Sequence, residues 1–231
     1  MIGALLLGAA AQSSLVLSGL IVYVVKVPTR VVGALAGFGA GALIAAVAFD
    51  LIPEPVDLEN AELALWLLGG ALIFVVSDRI VEARFGGEDS SGSPLGIVVG
   101  SVVDGVPESL IFGIQLGAGD TLSASFIAAV WISNIPQALA PSAALVEGGW
   151  SPAKLGGMWA MVVLACGIVA GLGYAVANTD PDLVGARAAA IAAGGILAML
   201  TDSLMPYAFK RGGAAAGVWT VVGFAASLGA S

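Results

Sequence analysis

Residues 95–116 read LGIVVGSVVDGVPESLIFGIQL, an apolar run long enough to cross a bilayer with Asp104, Pro107 and Glu108 near its middle. About 20 predominantly apolar residues span the hydrocarbon as a helix, and a carboxylate at its centre costs about 2.5–3.5 kcal/mol. Two carboxylates in one such run are therefore a feature with a purpose. The spacing from Asp104 to Glu108 places both on one helix face. Two charges about 6 Å apart at an effective dielectric near 20 repel by roughly 3 kcal/mol. No lysine or arginine lies in the core of any neighbouring run, so a cation or a proton must neutralise the pair. Cation binding is then expected to displace a proton and to weaken at low pH.

The surrounding chain has the same character. Of 231 residues, 59% are hydrophobic and 10% charged, with a mean hydropathy of +1.03. A soluble domain carries about 25% charged residues. Apolar runs at 2–25, 31–52, 64–81, 95–116, 122–146, 154–177, 183–208 and 214–229 predict eight transmembrane helices in one domain, 1–231. The longest connection, 84–94, reads RFGGEDSSGSP and is expected to be a cytoplasmic linker between the third and fourth spans. The first run begins without a basic segment and reads as a retained helix.

Placing the N-terminus outside puts Lys26, Arg30, Arg79, Arg84, Lys154, Lys210 and Arg211 on the inner side and Arg187 alone on the outer. The positive-inside rule then makes both termini external. Glu54, Asp57, Glu59, Glu62, Asp120, Asp180 and Asp182 fall on the outer side, as a cation-concentrating entrance or an acidic surface suited to high salt.

The motif in the fourth span has a counterpart in the fifth. Asp104-Gly105-Val106-Pro107-Glu108 and Ser133-Asn134-Ile135-Pro136-Gln137 each run polar pair (or acid and glycine), aliphatic residue, proline, Glu or Gln. Adjacent helices cross in opposite directions. A second echo joins spans two and seven, where Gly41 precedes Pro53 by the interval at which Gly194 precedes Pro206, with Asp50 and Asp202 just before the prolines. Three helices, a motif-bearing pair and three more form an inverted repeat, 3+2+3, and interrupted helices in matching positions point to a transporter's binding site. Proline lacks an N–H, so Pro107 and Pro136 are expected to break their helices and free carbonyls near residues 103 and 132. Asp104 and Glu108 are the primary candidate metal ligands. Ser133, Asn134 and Gln137 offer weaker neutral oxygens, and Asp50 and Asp202 are candidates for the ion path. Alternatively, the acids are protonated and only fix helix packing.

Other polar residues carry less. Gln12, Ser13 and Ser14 read as packing or cavity lining, and Cys166 as a small packing residue. Gly33, Gly37 and Gly41, and the pair Gly167 and Gly171, recur at the spacing that lets helices approach closely.

On these motifs the chain resembles the ZIP (Zrt/Irt-like, zinc–iron permease) family of divalent-metal transporters over essentially all eight spans. Residues 33–55, GALAGFGAGALIAAVAFDLIPEP, look like the family's glycine-rich second helix, and residues 193–209, AGGILAMLTDSLMPYAF, like its late helix ending near proline. DGVPES and SNIPQA occupy the places where the family typically has His-Asn-x-Pro-Glu-Gly and a similar motif. The resemblance implies a ZIP-like eight-helix inverted repeat, homodimers, a plasma-membrane location, inward transport, a metal site between the fourth and fifth helices, and a bundle that slides against a scaffold. Asp104 stands where the family often has histidine, Gly105 where it often has asparagine and Gln137 in place of glutamate. No acid lies between Lys154 and Asn178 on the sixth span, which fits one ion.

By resemblance the ion is zinc or iron. By chemistry an all-oxygen, two-charge ligand set favours manganese or another hard cation. The chain has no histidine, which removes His-based catalysis and ligation. Its single cysteine allows no intrachain disulfide, and the net charge of −8 argues against a nucleic-acid partner. No nucleotide loop or organic cofactor motif is visible, and no enzyme activity is expected. Gly117-Ala118-Gly119-Asp120 matches the Gly-x-Gly-Asp string of an intramembrane aspartyl protease, but Asp120 falls at a helix end and no Tyr-Asp dipeptide supplies its partner. The competing reading is a transport-dead ZIP-like metal sensor or membrane scaffold.

Overall fold

A computed structural model describes residues 1–51, 59–85, 94–119, 123–179 and 186–230. Among them every regular element is helical: α1 (Ile2–Gln12), α2 (Ser14–Ile21), α3 (Thr29–Ala46), α4 (Asn60–Phe85), α5 (Pro94–Ala118), α6 (Ala124–Glu147), α7 (Pro152–Ala177), α8 (Ala186–Met199), α9 (Met205–Gly212) and α10 (Ala215–Leu228). Six stretches are long and apolar enough to cross a membrane: Ile2–Ile21, Thr29–Leu51, Asn60–Phe85, Pro94–Ala118, Pro152–Ala177 and Ala186–Gly212. The chain is thus a multi-pass helical membrane protein. Helix α6 is long at 24 residues, though serines, Asn134 and Gln137 dilute its hydropathy. Helix α10 has 14 residues, about 21 Å at 1.5 Å per residue, against a hydrocarbon core of about 30 Å.

The first run is two helices. Ser13 separates α1 from α2, and its hydroxyl donates to the Ala10 carbonyl at 2.6 Å. Such a back-bond competes with the helix ladder and bends it. The second and seventh runs change register without breaking. Each contains a π-helical turn, Val47–Leu51 and Leu200–Leu204. In the latter the Met205 N–H donates to the Leu200 carbonyl, five residues back, immediately before Pro206, which has no N–H to give. Pro53 lies outside the described residues.

The expected helix breaks at Pro107 and Pro136 are a correction. Helices α5 and α6 run continuously through both, and α6 continues through Pro141 as well. Neighbouring helices hold the chain where one ladder bond is missing. Tyr207 on α9 donates separately to the Pro136 carbonyl at 2.8 Å.

Packing is built on backbone approach. Gly33, Gly37 and Gly41 on α3 lie against the backbone of Gly212, Ala216 and Thr220, at the end of α9 and along α10. A side chain at Gly41 would run into the Thr220 carbonyl and one at Gly223 into the Phe38 carbonyl. The α4–α8 contact has the same form, with Gly194 against the Leu67 carbonyl and Gly70 against the Ile191 carbonyl. The separation in sequence between Gly41 and Gly194 also relates Phe38 to Ile191, Leu67 to Thr220, Gly70 to Gly223, and the first π-turn to the second. Helix α5 packs along α7 and α8, and α6 along α2 and α3. Between them sits an apolar core that includes Phe112 and Phe126, their ring centroids 4.8 Å apart.

A candidate cation site between three helices

Glu108 is the single buried Asp, Glu, Lys or Arg among the described residues, 1% exposed. The continuous α5 carries it inward, on the face that also buries Gly105, Ser109 and Phe112. Asn134 on α6 is 2% exposed. Helices α5 and α6 themselves touch sparingly, each lying mainly along other helices. What joins the two motifs is a third helix. Gln12, at the end of α1, is fully buried. Its Nε2 donates to Glu108 Oε2 at 3.0 Å, and its Oε1 accepts from Asn134 Nδ2 at 2.7 Å. Buried polar groups are nearly always paired, yet Glu108 Oε1 has no hydrogen-bond partner among the described residues. It is a buried acceptor without a donor among the described residues.

Gly105 makes room for Cys166 and lies beside Gln12. It occupies the motif position that Asn134 holds in α6, and it has no side chain. A Cβ at Gly105 would come within 2.7 Å of Cys166 Sγ and 3.6 Å of Gln12 Nε2. Cys166 is fully buried against this face, a packing residue as expected.

The other candidates distribute unevenly. Asp104, one turn before Glu108, is half-buried and takes part in polar interactions. Ser133 is buried, its hydroxyl donates to the Val130 carbonyl of its own helix at 2.9 Å, and its backbone abuts Gly39 of α3. Gln137 is half-buried. Pro107 packs on α8, where a Cβ at Gly195 would lie 3.0 Å from its ring.

Asp50 and Asp202 lie elsewhere and are tied to structure. Asp50 Oδ2 accepts from Ser123 Oγ at 2.7 Å and from Ser125 Oγ at 2.6 Å. Ser123 caps α6 by accepting from the Phe126 N–H, so a carboxylate sits at a helix N-terminus, where the dipole favours it. Asp202 pairs with Arg79 at 3.1 Å, and Arg79 also holds Glu82 at 2.9 Å. Arg187 pairs with Glu62 at 2.7 Å. Glu54, Asp57, Asp120, Asp180, Asp182 and residues 86–93 of the expected linker lie outside the described residues.

Sequence reasoning read Gln12 only as packing or cavity lining and missed Tyr207. An amide beside two serines in an otherwise apolar run was the available signal for the first. An aromatic hydroxyl one residue after Pro206 was the signal for the second; Tyr207 also stacks beneath Arg211, 3.8 Å from ring centroid to guanidinium.

Chemically, the site offers one carboxylate with a spare oxygen, two carboxamides and a nearby acid. No group of three or more Asp, Glu, Cys or His that could hold a metal ion occurs among the described residues. No protein-family model matches the chain, and a search of curated proteins returns no match.

Proposed function

We propose that the chain is a ZIP-like membrane transporter of divalent metal cations (zinc, iron or manganese) that binds its ion in mid-membrane between α5 and α6. The observation that carries this reading is the Glu108 carboxylate, buried without a basic partner and with one oxygen unpartnered, joined through Gln12 to Asn134. An intramembrane ionisable side chain facing polar groups on other helices marks an ion path by default. Asp104 and Glu108 supply charge, and Ser133, Asn134 and Gln137 supply neutral oxygens. This is a mononuclear set of hard ligands, suited to Mn²⁺ at least as well as to Zn²⁺.

The same reading has eight spans with both termini external, an inverted repeat, a homodimer, a plasma-membrane location and inward movement down the ion gradient or coupled to protons. It involves no enzyme activity, organic cofactor or nucleic acid. The recurring glycine–carbonyl contacts of α3–α10 and α4–α8, and the two matching π-turns, support the repeat. A second reading, a metal sensor or scaffold that no longer transports, draws on the lack of a three-acid cluster among the described residues.

Flux into sealed proteoliposomes separates the two. With a panel of Zn²⁺, Mn²⁺, Fe²⁺, Co²⁺, Cd²⁺ and Mg²⁺, transport predicts saturable uptake that is lost in Glu108→Ala and Asp104→Ala. Folded protein that moves no ion of the panel would rule the transporter out.

A further inference from the structure

We propose that Gln12 is itself a ligand of the cation, contributed by the first helix, and that ion binding turns its amide end for end. This inference rests on the cation-binding reading above. In the structure the amide is set to serve a carboxylate: Nε2 donates to Glu108 and Oε1 accepts from Asn134. An ion on Glu108 repels that N–H donor. Rotation about the last torsion of Gln12 exchanges nitrogen and oxygen with little change in shape, and such torsions are broad and roughly two-fold. Asn134 can turn with it, so that one lone pair of its oxygen accepts from the reversed Gln12 amide and the other is left for the ion. Both hydrogen bonds between the amides and their neighbours are thereby replaced rather than lost.

The distances suit shared coordination. The terminal atom of Gln12 stands 3.0 Å from Glu108 Oε2. Two oxygens at right angles on one ion, each about 2.1 Å away, lie about 3 Å apart. Glu108 Oε1, buried without a hydrogen-bond partner among the described residues, is a further acceptor on the same carboxylate. The internal motif gives the reason for a first-helix ligand: α6 carries an amide at Asn134, α5 carries Gly105 at the matching position, and Gln12 lies against that glycine. One amide is missing from the motif pair, and α1 supplies it.

The experiment is calorimetric titration of the purified full-length chain in detergent with Mn²⁺ and, separately, Zn²⁺. The proteins are the parent, Gln12→Leu, Gln12→His and Glu108→Gln, each checked by thermal unfolding. Gln12→Leu should weaken Mn²⁺ binding at least tenfold. Gln12→His, which replaces an amide oxygen with imidazole nitrogen, should raise the Zn²⁺-over-Mn²⁺ preference at least tenfold. Both Gln12 variants binding like the parent, while Glu108→Gln does not bind, would overturn the role of Gln12 and leave the cation site standing. A parent that binds neither ion, or a Glu108→Gln variant that binds as well as the parent, would overturn both. If Gln12→Leu does not fold, an unchanged ion preference in Gln12→His overturns the proposal.

Discussion

Glu108 concentrates the energetics of the site. Its carboxylate lies buried among helices with one hydrogen bond from Gln12, and an unpaired buried charge is among the costliest features a fold can carry. Replacing it with glutamine removes the charge and keeps the shape. Glu108→Gln should abolish divalent-ion binding while unfolding at or above the parent's temperature. Because protons and metal ions compete for the same carboxylates, metal affinity of the parent should fall as pH falls and level off at high pH. Titrations at several pH values check this, and a flat profile would contradict it. The position of Asp104 one helical turn before Glu108 was legible from spacing alone. Gln12 was not, because no local pattern in α1 says which neighbours its one polar side chain will meet.

At the scale of elements, the same backbone approach is used twice, and it makes adjacent glycines unequal. Gly70 lies against the Ile191 carbonyl of α8, whereas nothing lies within 4 Å of where a Cβ would stand at Gly69. Gly70→Leu should therefore separate α4 from α8 and lower the unfolding temperature of the detergent-solubilised protein sharply. Gly69→Leu should leave it nearly unchanged. The Asp50 link between the first π-turn and the α6 N-terminus is a second test. Ser123→Ala removes both a helix cap and a partner of Asp50, a loss of about 1 kcal/mol by the usual worth of a cap, measurable in the same unfolding assay. Helix positions were readable because long apolar runs have few alternatives in a membrane. The π-turns were not, since a single wide turn leaves the apolar pattern intact. The continuity of α5 and α6 through their prolines was equally hidden: the sequence shows the missing N–H, while tertiary neighbours decide whether the helix bends, breaks or continues.

For the whole molecule, charge asymmetry makes a topological prediction. Single cysteines placed at Gly149 and Ala214 in a Cys166→Ser background should be reached by membrane-impermeant thiol reagents from the cytoplasmic side. Cysteines at Ile2 and Ala230 should be reached from outside. Labelling of the termini from the cytoplasmic side would reverse the orientation drawn from Lys26, Arg30, Arg79, Arg84, Lys154, Lys210 and Arg211. Such asymmetry is readable from sequence because basic side chains seek one side of the bilayer regardless of packing.

On the proposed reading a divalent cation sits on Glu108, between the helices that Gln12 ties together. The most direct measurement is anomalous scattering from crystals of the protein grown with Mn²⁺. One ion is expected in mid-membrane within about 2.5 Å of a Glu108 oxygen, the range of carboxylate–cation bonds. Mn²⁺ found only at peripheral carboxylates such as Glu62 or Asp202, with none in reach of Glu108, would contradict it.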